Sequence, residues 1–343
     1  MERPVDPTDN GGDEGEFDRT LRPTNLDDMV GQDKVKDQLR IAIRAALQRE
    51  EALDHVLLYG PPGLGKTTLA NVVGHELGVQ VTSTSGPVLE KPLDLVGMLT
   101  GLGPRDVLFI DEIHRVNRTV EEYLYSAMED FRIDVMIDQG PQARSVNLPL
   151  EPFTLIGATT RQGLLTSPMR ARFGIVGYVD YYTAEELGFI VRRDAGLFGF
   201  EVEEDAALEI GRRSRGTARL AKRWLRRARD YAQVESDGTV TRPLVVAALE
   251  MLNVDAQGLD EIDLRLLGGI IDKFGGGPVG LSNLAAVIGE ESETIEEVYE
   301  PYLIKEGFVK RTPRGRVALP RAYTHLGRTP PEDGPEGGQM SLV

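Results

Sequence analysis

The chain of 343 residues has no cysteine, four histidines, one tryptophan and only 6% aromatic residues. Without cysteine there is no disulfide framework, no thiolate metal site and no thiol nucleophile, and four scattered histidines lack the spacing of a zinc site. No run of 18 apolar residues occurs, and the N-terminus shows no basic-then-apolar leader. The expectation is a cytoplasmic protein with no membrane partner. Positive charge is also short, with 55 acidic against 39 basic residues and a net charge of −16. Affinity for nucleic acid comes largely from Lys and Arg neutralising phosphates, so the total argues against it. Charges more than about 8 Å apart are screened at physiological salt, however, and local clusters outweigh the total. Two basic clusters exist, Arg212 to Arg229 with nine basic residues and Lys310 to Arg321.

What is present is 41% hydrophobic residues, enough for a sizeable core. Residues 1–18 and 329–343 are acidic or Pro/Gly-rich with little to bury and read as disordered. Residues 19–177 alternate strand-like runs, "HVLLY", "VQVTST", "VLFID" and "FTLIGAT", with helical patterns. That alternation predicts an α/β domain with a parallel sheet. Residues 178–255 are helical throughout and predict a small helical domain. Residues 256–328 give three helix patterns, then two short strands, "FVKRT" and "RVALP", joined at Pro313-Arg314-Gly315, which predicts a winged helix. Gly275 to Gly280 matches the dinucleotide fingerprint G-x-G-x-x-G but follows a helical run instead of a strand. It reads as a helix C-cap and turn.

The chemistry gathers in the first block. Gly60-Pro-Pro-Gly-Leu-Gly-Lys-Thr-Thr68 satisfies G-x-x-x-x-G-K-[ST] between an apolar run and a helix pattern. Such a loop converges backbone N–H groups on phosphates, with Lys66 as a point charge at the β/γ-phosphates and the Thr67 hydroxyl available to Mg²⁺. Val107 to His114, "VLFIDEIH", is a buried strand ending in two acids. Asp111 can hold Mg²⁺ through water, and Glu112 is placed to polarise the attacking water. "FTLIGATT" ends in Thr159 and Thr160, where a hydroxyl could sense the γ-phosphate. Arg170 and Arg172 follow just past the sheet, as an arginine finger would, although on these residues alone either could be a surface charge.

With these motifs in place, the sequence resembles the RuvB family, bacterial Holliday-junction branch-migration motors of the AAA+ class. The likeness covers about residues 19 to 328 and rests on "DDMVGQ", "GPPGLGKTT", "LFIDEIHR", "SAMEDF", "GPQARS", "FTLIGATTR", "EIGRRSRGTARLAKR", "GGGPVGL" and "RTPRGR". It implies an AAA+ P-loop ATPase domain, a small helical lid and a C-terminal winged helix, with ATP and Mg²⁺ as cofactors. By motif, Leu21, Arg22, Tyr182 and the "EDF" segment Glu129, Asp130 and Phe131 would line the nucleotide pocket. Gly63, Lys66, Thr67 and Thr68 would hold the phosphates. Arg172 would be the finger presented to a neighbouring subunit, and Arg219 the second sensor, at the start of a helix after Gly216-Thr217. The implied partners are duplex DNA at four-way junctions, a RuvA-like junction-binding protein, a RuvC-like resolvase and further copies of the chain in a homo-hexamer. The resemblance departs from pattern at Ala218, where proline is usual, and at Ser292, near which the family tends to carry arginine.

Two surfaces complete the expectations. Ile133 to Leu150 reads as two strands about Gly140-Pro141. Val135, Met136 and Ile137 would be exposed if the hairpin protrudes and would meet the RuvA-like partner; the alternative is that the hairpin folds onto its own sheet. In the winged helix, "GEESETIEEVYE" carries Glu290, Glu291, Glu293, Glu296, Glu297 and Glu300, a face that repels phosphate. DNA contact is therefore expected on the wing, at Arg311, Arg314 and Arg316. The reading is an ATP-driven motor that moves duplex DNA through a ring. A clamp-loader-like AAA+ ATPase and a non-hydrolysing nucleotide switch are the alternatives, and Glu112 with Arg172 speaks against the switch.

Overall fold

The computed structural model describes residues 22–136 and 145–331, with backbone alone for Met136 and Ser145. It falls into two compact units, the first ending at Tyr182 and the second starting at Thr183.

The first unit is built on a parallel sheet of order β2-β3-β6-β1-β7, with β1 Val56–Tyr59, β2 Val81–Ser85, β3 Val107–Asp111, β6 Thr154–Thr159 and β7 Ile175–Tyr178. The pattern of residues assigns each strand its place. The inner strand β6 is buried at every residue, and β3 is buried along Val107–Ile110, as continuous apolar runs require when both faces are covered. The edge strand β7 alternates buried and exposed, and the other edge, β2, is the polar run "VTSTS". Helices α1 Asp33–Arg49, α2 Lys66–Leu77, α3 Pro92–Thr100, α4 Arg118–Asp130 and α5 Ser167–Ala171 complete the unit. Between α4 and β6 an antiparallel pair, β4 Arg132–Met136 and β5 Ser145–Pro149, forms a separate two-stranded sheet.

The second unit opens with four helices, α6 Ala184–Leu197, α7 Glu204–Arg213, α8 Ala218–Glu235 and α9 Arg242–Met251. Thr183 and Glu186 form a capping box that starts α6. Despite its basic residues α8 is amphipathic, burying Ala221, Trp224, Leu225, Ala228 and Ala232. Next comes α10 Glu261–Gly268, running on into a π-type stretch Gly269–Lys273, then α11 Leu281–Ile288. A third helical run follows without a break, α12 Ser292–Thr294, a π-type stretch Ile295–Tyr299 and α13 Glu300–Lys305. The hairpin β8 Val309–Thr312 and β9 Gly315–Ala318 and the short α14 Pro320–His325 end the fold. Three helical runs closed by a hairpin are the winged helix that the periodicity predicts.

The formal fingerprint at Gly275–Gly280 is a packing device. Gly276 and Gly277 have φ of 91° and 93°, and a Cβ would lie 2.0 Å from the Tyr323 hydroxyl and 2.3 Å from the Arg316 carbonyl oxygen. Only glycine lets this turn press against the wing. Helical lid and winged helix are joined through Arg215, a buried non-glycine residue at φ 52°. Its guanidinium meets Asp260 at 2.8 Å and Asp263 at 2.5 Å, and its Nε donates to the Gly258 carbonyl at 2.6 Å. Burial pushes the Asp263 carboxyl up to about 8, with Arg215 opposing the shift.

Candidate active site

The phosphate loop runs from the end of β1 to the first turn of α2, so backbone N–H groups at a helix N-terminus face the place where an anion would sit. Gly60, Gly63 and Gly65 all have positive φ, and a Cβ on Gly60 would stand 2.2 Å from the Val179 carbonyl oxygen. Lys66 is buried, and its ammonium donates to the loop carbonyls of Gly60 at 2.8 Å and Pro61 at 2.9 Å. Tyr182 backs the loop, its hydroxyl donating to the Leu64 carbonyl at 3.1 Å.

Parallel register brings the carboxyl ends of β1, β3 and β6 to this loop. Tyr59 pairs with Thr159, and Ser85 with Asp111. Because β1 lies between β6 and β7 instead of beside β2, a crevice is expected at these strand ends. There the Thr67 hydroxyl donates to Asp111 Oδ2 at 3.3 Å, and Asp111 Oδ1 accepts the Glu112 N–H at 3.0 Å. The hydroxyl and carboxylate are hard oxygen donors side by side, a set that fits Mg²⁺, which usually takes one or two protein oxygens and keeps several waters.

Glu112 is held in the left-handed region, φ 46°, at the turn out of β3. Burial raises its carboxyl above the ordinary glutamate range, with the neighbouring Asp111 adding to the rise and Lys66 opposing it. One carboxylate oxygen, Oε2, accepts from the Thr160 hydroxyl at 3.3 Å and lies 3.2 Å from His114 Nδ1. The two threonines at the end of "FTLIGATT" thus part company. Thr159 is fully buried, with its hydroxyl oxygen 2.8 Å from His114 Nδ1 and 3.0 Å from the Arg161 N–H it accepts. Thr160 is the one left half-exposed beside Glu112. His114 is a neighbour of Glu112 that the sequence reading missed, although its place in "DEIH" was the available signal.

Arg172 is gathered elsewhere. Its guanidinium pairs with Glu129 at 2.9 Å, donates to the Pro168 carbonyl at 2.9 Å and lies over the Tyr125 ring, 4.4 Å from the centroid. Tyr125 is fixed in turn by its hydroxyl, which donates to Glu121 at 2.6 Å. Arg170, on α5, is exposed. Asp130 pairs with Arg132, and Phe131 packs edge-on against Phe153. Through Glu129 the "EDF" segment is tied to Arg172. Arg219 lies exposed in the first turn of α8, as its position after Gly216-Thr217 predicts. Thr68 is half-buried in the first turn of α2, and Arg22 is half-buried at the start of the described chain, whereas Leu21 lies outside the described residues.

Two surfaces differ from expectation. Val135 is partly buried and packs on the first unit's own core beside fully buried Ile133, so the base of the hairpin folds down. Val146, its register partner, is 37% exposed. The side chain of Met136 and the whole of Ile137 lie outside the described residues. On the wing, Arg311 and Arg316 stand directly opposite each other, a like-charge pair that would repel. Glu300 resolves this. Its fully buried carboxylate accepts from Arg311 Nε at 2.7 Å and Arg316 Nε at 2.5 Å, and Glu296 adds a bridge to Arg311 at 3.1 Å. Two acids of that helix, Glu296 and Glu300, thus offset the charge of Arg311 and Arg316. Arg314, exposed at the hairpin turn, has no ion pair among the described residues.

Comparison with known proteins agrees with this geometry. Residues 21–179 match the Holliday junction DNA helicase RuvB P-loop domain, 182–255 the RuvB AAA lid domain and 256–327 the RuvB C-terminal winged helix domain. The RuvB subunit of the Holliday junction branch migration complex of Salinibacter ruber is 59% identical over 318 residues, 93% of this chain and 92% of that protein. The solved Thermotoga maritima RuvB Holliday junction branch migration motor is 51% identical, with a TM-score of 0.83 over 91% of this chain and 100% of that one. A point mutant of the same Thermotoga maritima protein gives 50% identity and a TM-score of 0.84 over 91% of this chain and 99% of the other. With all three domain models matched in order along the chain, it belongs to the RuvB family of Holliday junction DNA helicases.

Proposed function

We infer that this protein, an ATP-driven branch-migration motor of the RuvB family, hydrolyses ATP at sites shared between neighbouring copies in a homo-hexamer and so draws duplex DNA through the ring. The observation that supports the shared site is the fixed pose of Arg172, whose guanidinium is held by Glu129, the Pro168 carbonyl and the Tyr125 ring. A finger so held would serve a nucleotide bound by the next copy. Lys66 and the loop N–H groups hold the β/γ-phosphates. Thr67 and Asp111 would hold Mg²⁺, which when bound offsets negative charge on the phosphates. Glu112 orients the attacking water and takes its proton, Thr160 reads the γ-phosphate, and Arg172 of the adjacent copy neutralises charge developing in the transition state. Tyr182, Arg22 and Leu21 would line the nucleotide, and Arg219 would be the second sensor.

The proposed domains are the blocks read from the sequence, 19–177, 178–255 and 256–328. Among the described residues no helix is long and apolar enough to cross a membrane. The proposed site of action is cytoplasmic. The hairpin, through Val135, Met136 and Ile137, would meet a RuvA-like partner, and a RuvC-like resolvase would follow at the same four-way junction. The test is strand displacement on a four-way junction. It should require ATP, a RuvA-like protein and an intact Glu112. Displacement that survives Glu112→Gln, or an ATPase indifferent to DNA, would leave the clamp-loader or switch reading instead.

A further inference from the structure

We propose that His114 is a positioning residue for hydrolysis, fixing the Glu112 carboxylate from behind and anchored itself by Thr159. The proposal rests on the reading of Glu112 as the water-orienting base. Four observations converge on it. The His114 side chain is 3% exposed, so solvent does not satisfy its ring in place of a protein partner. Its Nδ1 stands 3.2 Å from Glu112 Oε2 and 2.8 Å from Thr159 Oγ1. Thr159 is itself immobilised, fully buried at the end of β6 and accepting the Arg161 N–H. The ring is carried on a single 3-10 turn, Ile113–Arg115, that begins at Glu112, so base and histidine share one short rigid segment.

The chemistry decides which way the proton points. An ionised carboxylate only accepts, so Nδ1 must carry its hydrogen whenever Glu112 is ready to work. That one N–H is shared between Oε2 of Glu112 and Oγ1 of Thr159. A neutral ring with its proton on the far nitrogen would instead turn a lone pair toward the carboxylate and push it off. Thr159 therefore does more than fill space at the strand end, because it fixes the ring plane along which the N–H is aimed. Thr160 approaches the same oxygen, Oε2, from the half-exposed side. Donors on one oxygen leave the other, Oε1, as the one that would face water. His114 touches neither nucleotide nor water in this scheme and acts only through Glu112.

The test uses the full-length protein in a steady-state ATPase assay with DNA, together with fluorescent-nucleotide binding. His114→Phe keeps the ring shape and removes the donor. It should lower kcat about 10- to 100-fold, the range for a catalytic group displaced by about 1 Å, with KM and nucleotide affinity unchanged. His114→Asn puts an N–H near the position of Nδ1 and should recover most of the rate, whereas His114→Gln, with its amide one bond further out, should not. Thr159→Val should lower kcat by a smaller factor, and adding it to His114→Phe should have no further effect. A His114→Phe enzyme with wild-type kcat overturns the proposal, as does equal loss in Asn and Gln variants accompanied by lost nucleotide binding, which would mean a structural role. If the Phe variant does not fold, the contrast between Asn and Gln decides alone. Glu112→Gln is run alongside. If that enzyme still turns over, the assignment of the base fails; if it stops while His114→Phe does not, only the present inference fails.

Discussion

The wing permits a prediction in which electrostatics and stability are read from the same variants. Arg311, Arg314 and Arg316 look alike in sequence, yet their surroundings differ. Arg314 is exposed with no ion pair among the described residues, whereas Arg316 is 13% exposed and tied to fully buried Glu300. A side chain that neutralises one phosphate contributes about 0.9 to the slope of log K against log salt. Arg314→Ala should therefore flatten the slope of duplex binding by about 0.9 per engaged protomer and erase about 3.5-fold (4 to the power 0.9) of the affinity gained between 200 and 50 mM salt. Its melting curve should not move. Arg316 carries a charge already balanced inside the protein, so Arg316→Ala should leave the slope nearly unchanged and act on stability instead. Removing one partner from a buried pair costs about 3 to 5 kcal/mol, and since Arg311 remains on Glu300 the expectation is about 3 kcal/mol. Adding Glu300→Gln should restore much of that, because an amide is easier to bury than a carboxylate short of partners. Fluorescence anisotropy on a duplex across a salt series gives the slope, and chemical denaturation followed in the second unit gives the stability. If Arg316→Ala flattens the slope by as much as Arg314→Ala and leaves denaturation untouched, the Glu300 pairing opens on DNA and the reasoning fails.

Other expectations follow from the nucleotide site. Lys66→Ala should abolish nucleotide binding while Glu112→Gln binds normally and loses about 10²- to 10⁴-fold in turnover, checked by equilibrium binding and phosphate release; equal loss of binding would refute the separate roles. Arg172→Ala should bind ATP normally, turn over about 10³- to 10⁵-fold more slowly, and recover activity when mixed into rings with Lys66→Ala subunits; no recovery in rings shown to be mixed would place the finger in cis. Glu112→Gln should also melt higher than the parent at neutral pH. The raised Glu112 carboxyl favours the folded state most fully below the ordinary glutamate value, and that contribution is lost as pH rises through its higher folded value. The advantage of Gln should therefore shrink as pH is lowered from neutral toward the ordinary glutamate value, and a difference that widened instead would mean the shift has the other sign. Val135→Ser should destabilise the first unit, since Val135 packs on its core; an unchanged melt with weakened partner binding would show a docking residue instead.

What the sequence disclosed was whatever is encoded locally. The phosphate loop is nine consecutive residues whose glycines, lysine and threonine each have a backbone or charge reason to be there, and the strand runs before and after it declare the parallel sheet. The winged helix was legible because its hairpin turn is contiguous. What stayed hidden depends on pairings across sequence distance. Glu300 meets Arg311 and Arg316, 11 and 16 residues on, only after a helix and a hairpin have been laid against each other. No periodicity announces that an acidic helix and a basic wing will cancel. The division between Thr159 and Thr160 was hidden for a related reason. Successive residues at a strand end point to opposite faces, and which face holds His114 is decided by the turn after a different strand, 45 residues earlier. The pairing of Glu129 with Arg172, 43 residues on, was hidden in the same way.

Glu112 shows how these levels combine in one residue. A non-glycine residue at positive φ is uncommon and persists where surrounding contacts hold it. Here the turn is clamped against Gly86 at the end of β2, where a Cβ would lie 2.4 Å from the Glu112 carbonyl oxygen. The carboxyl is itself partly buried, and burial is the main cause of its raised value. A base raised in this way binds the departing proton of water more strongly but is less completely ionised before it acts. Lys66 supplies the opposing influence, favouring the ionised form while its ammonium rests on the carbonyls of Gly60 and Pro61. The αL turn, the glycine packed against it and the loop lysine thus act on a single carboxylate.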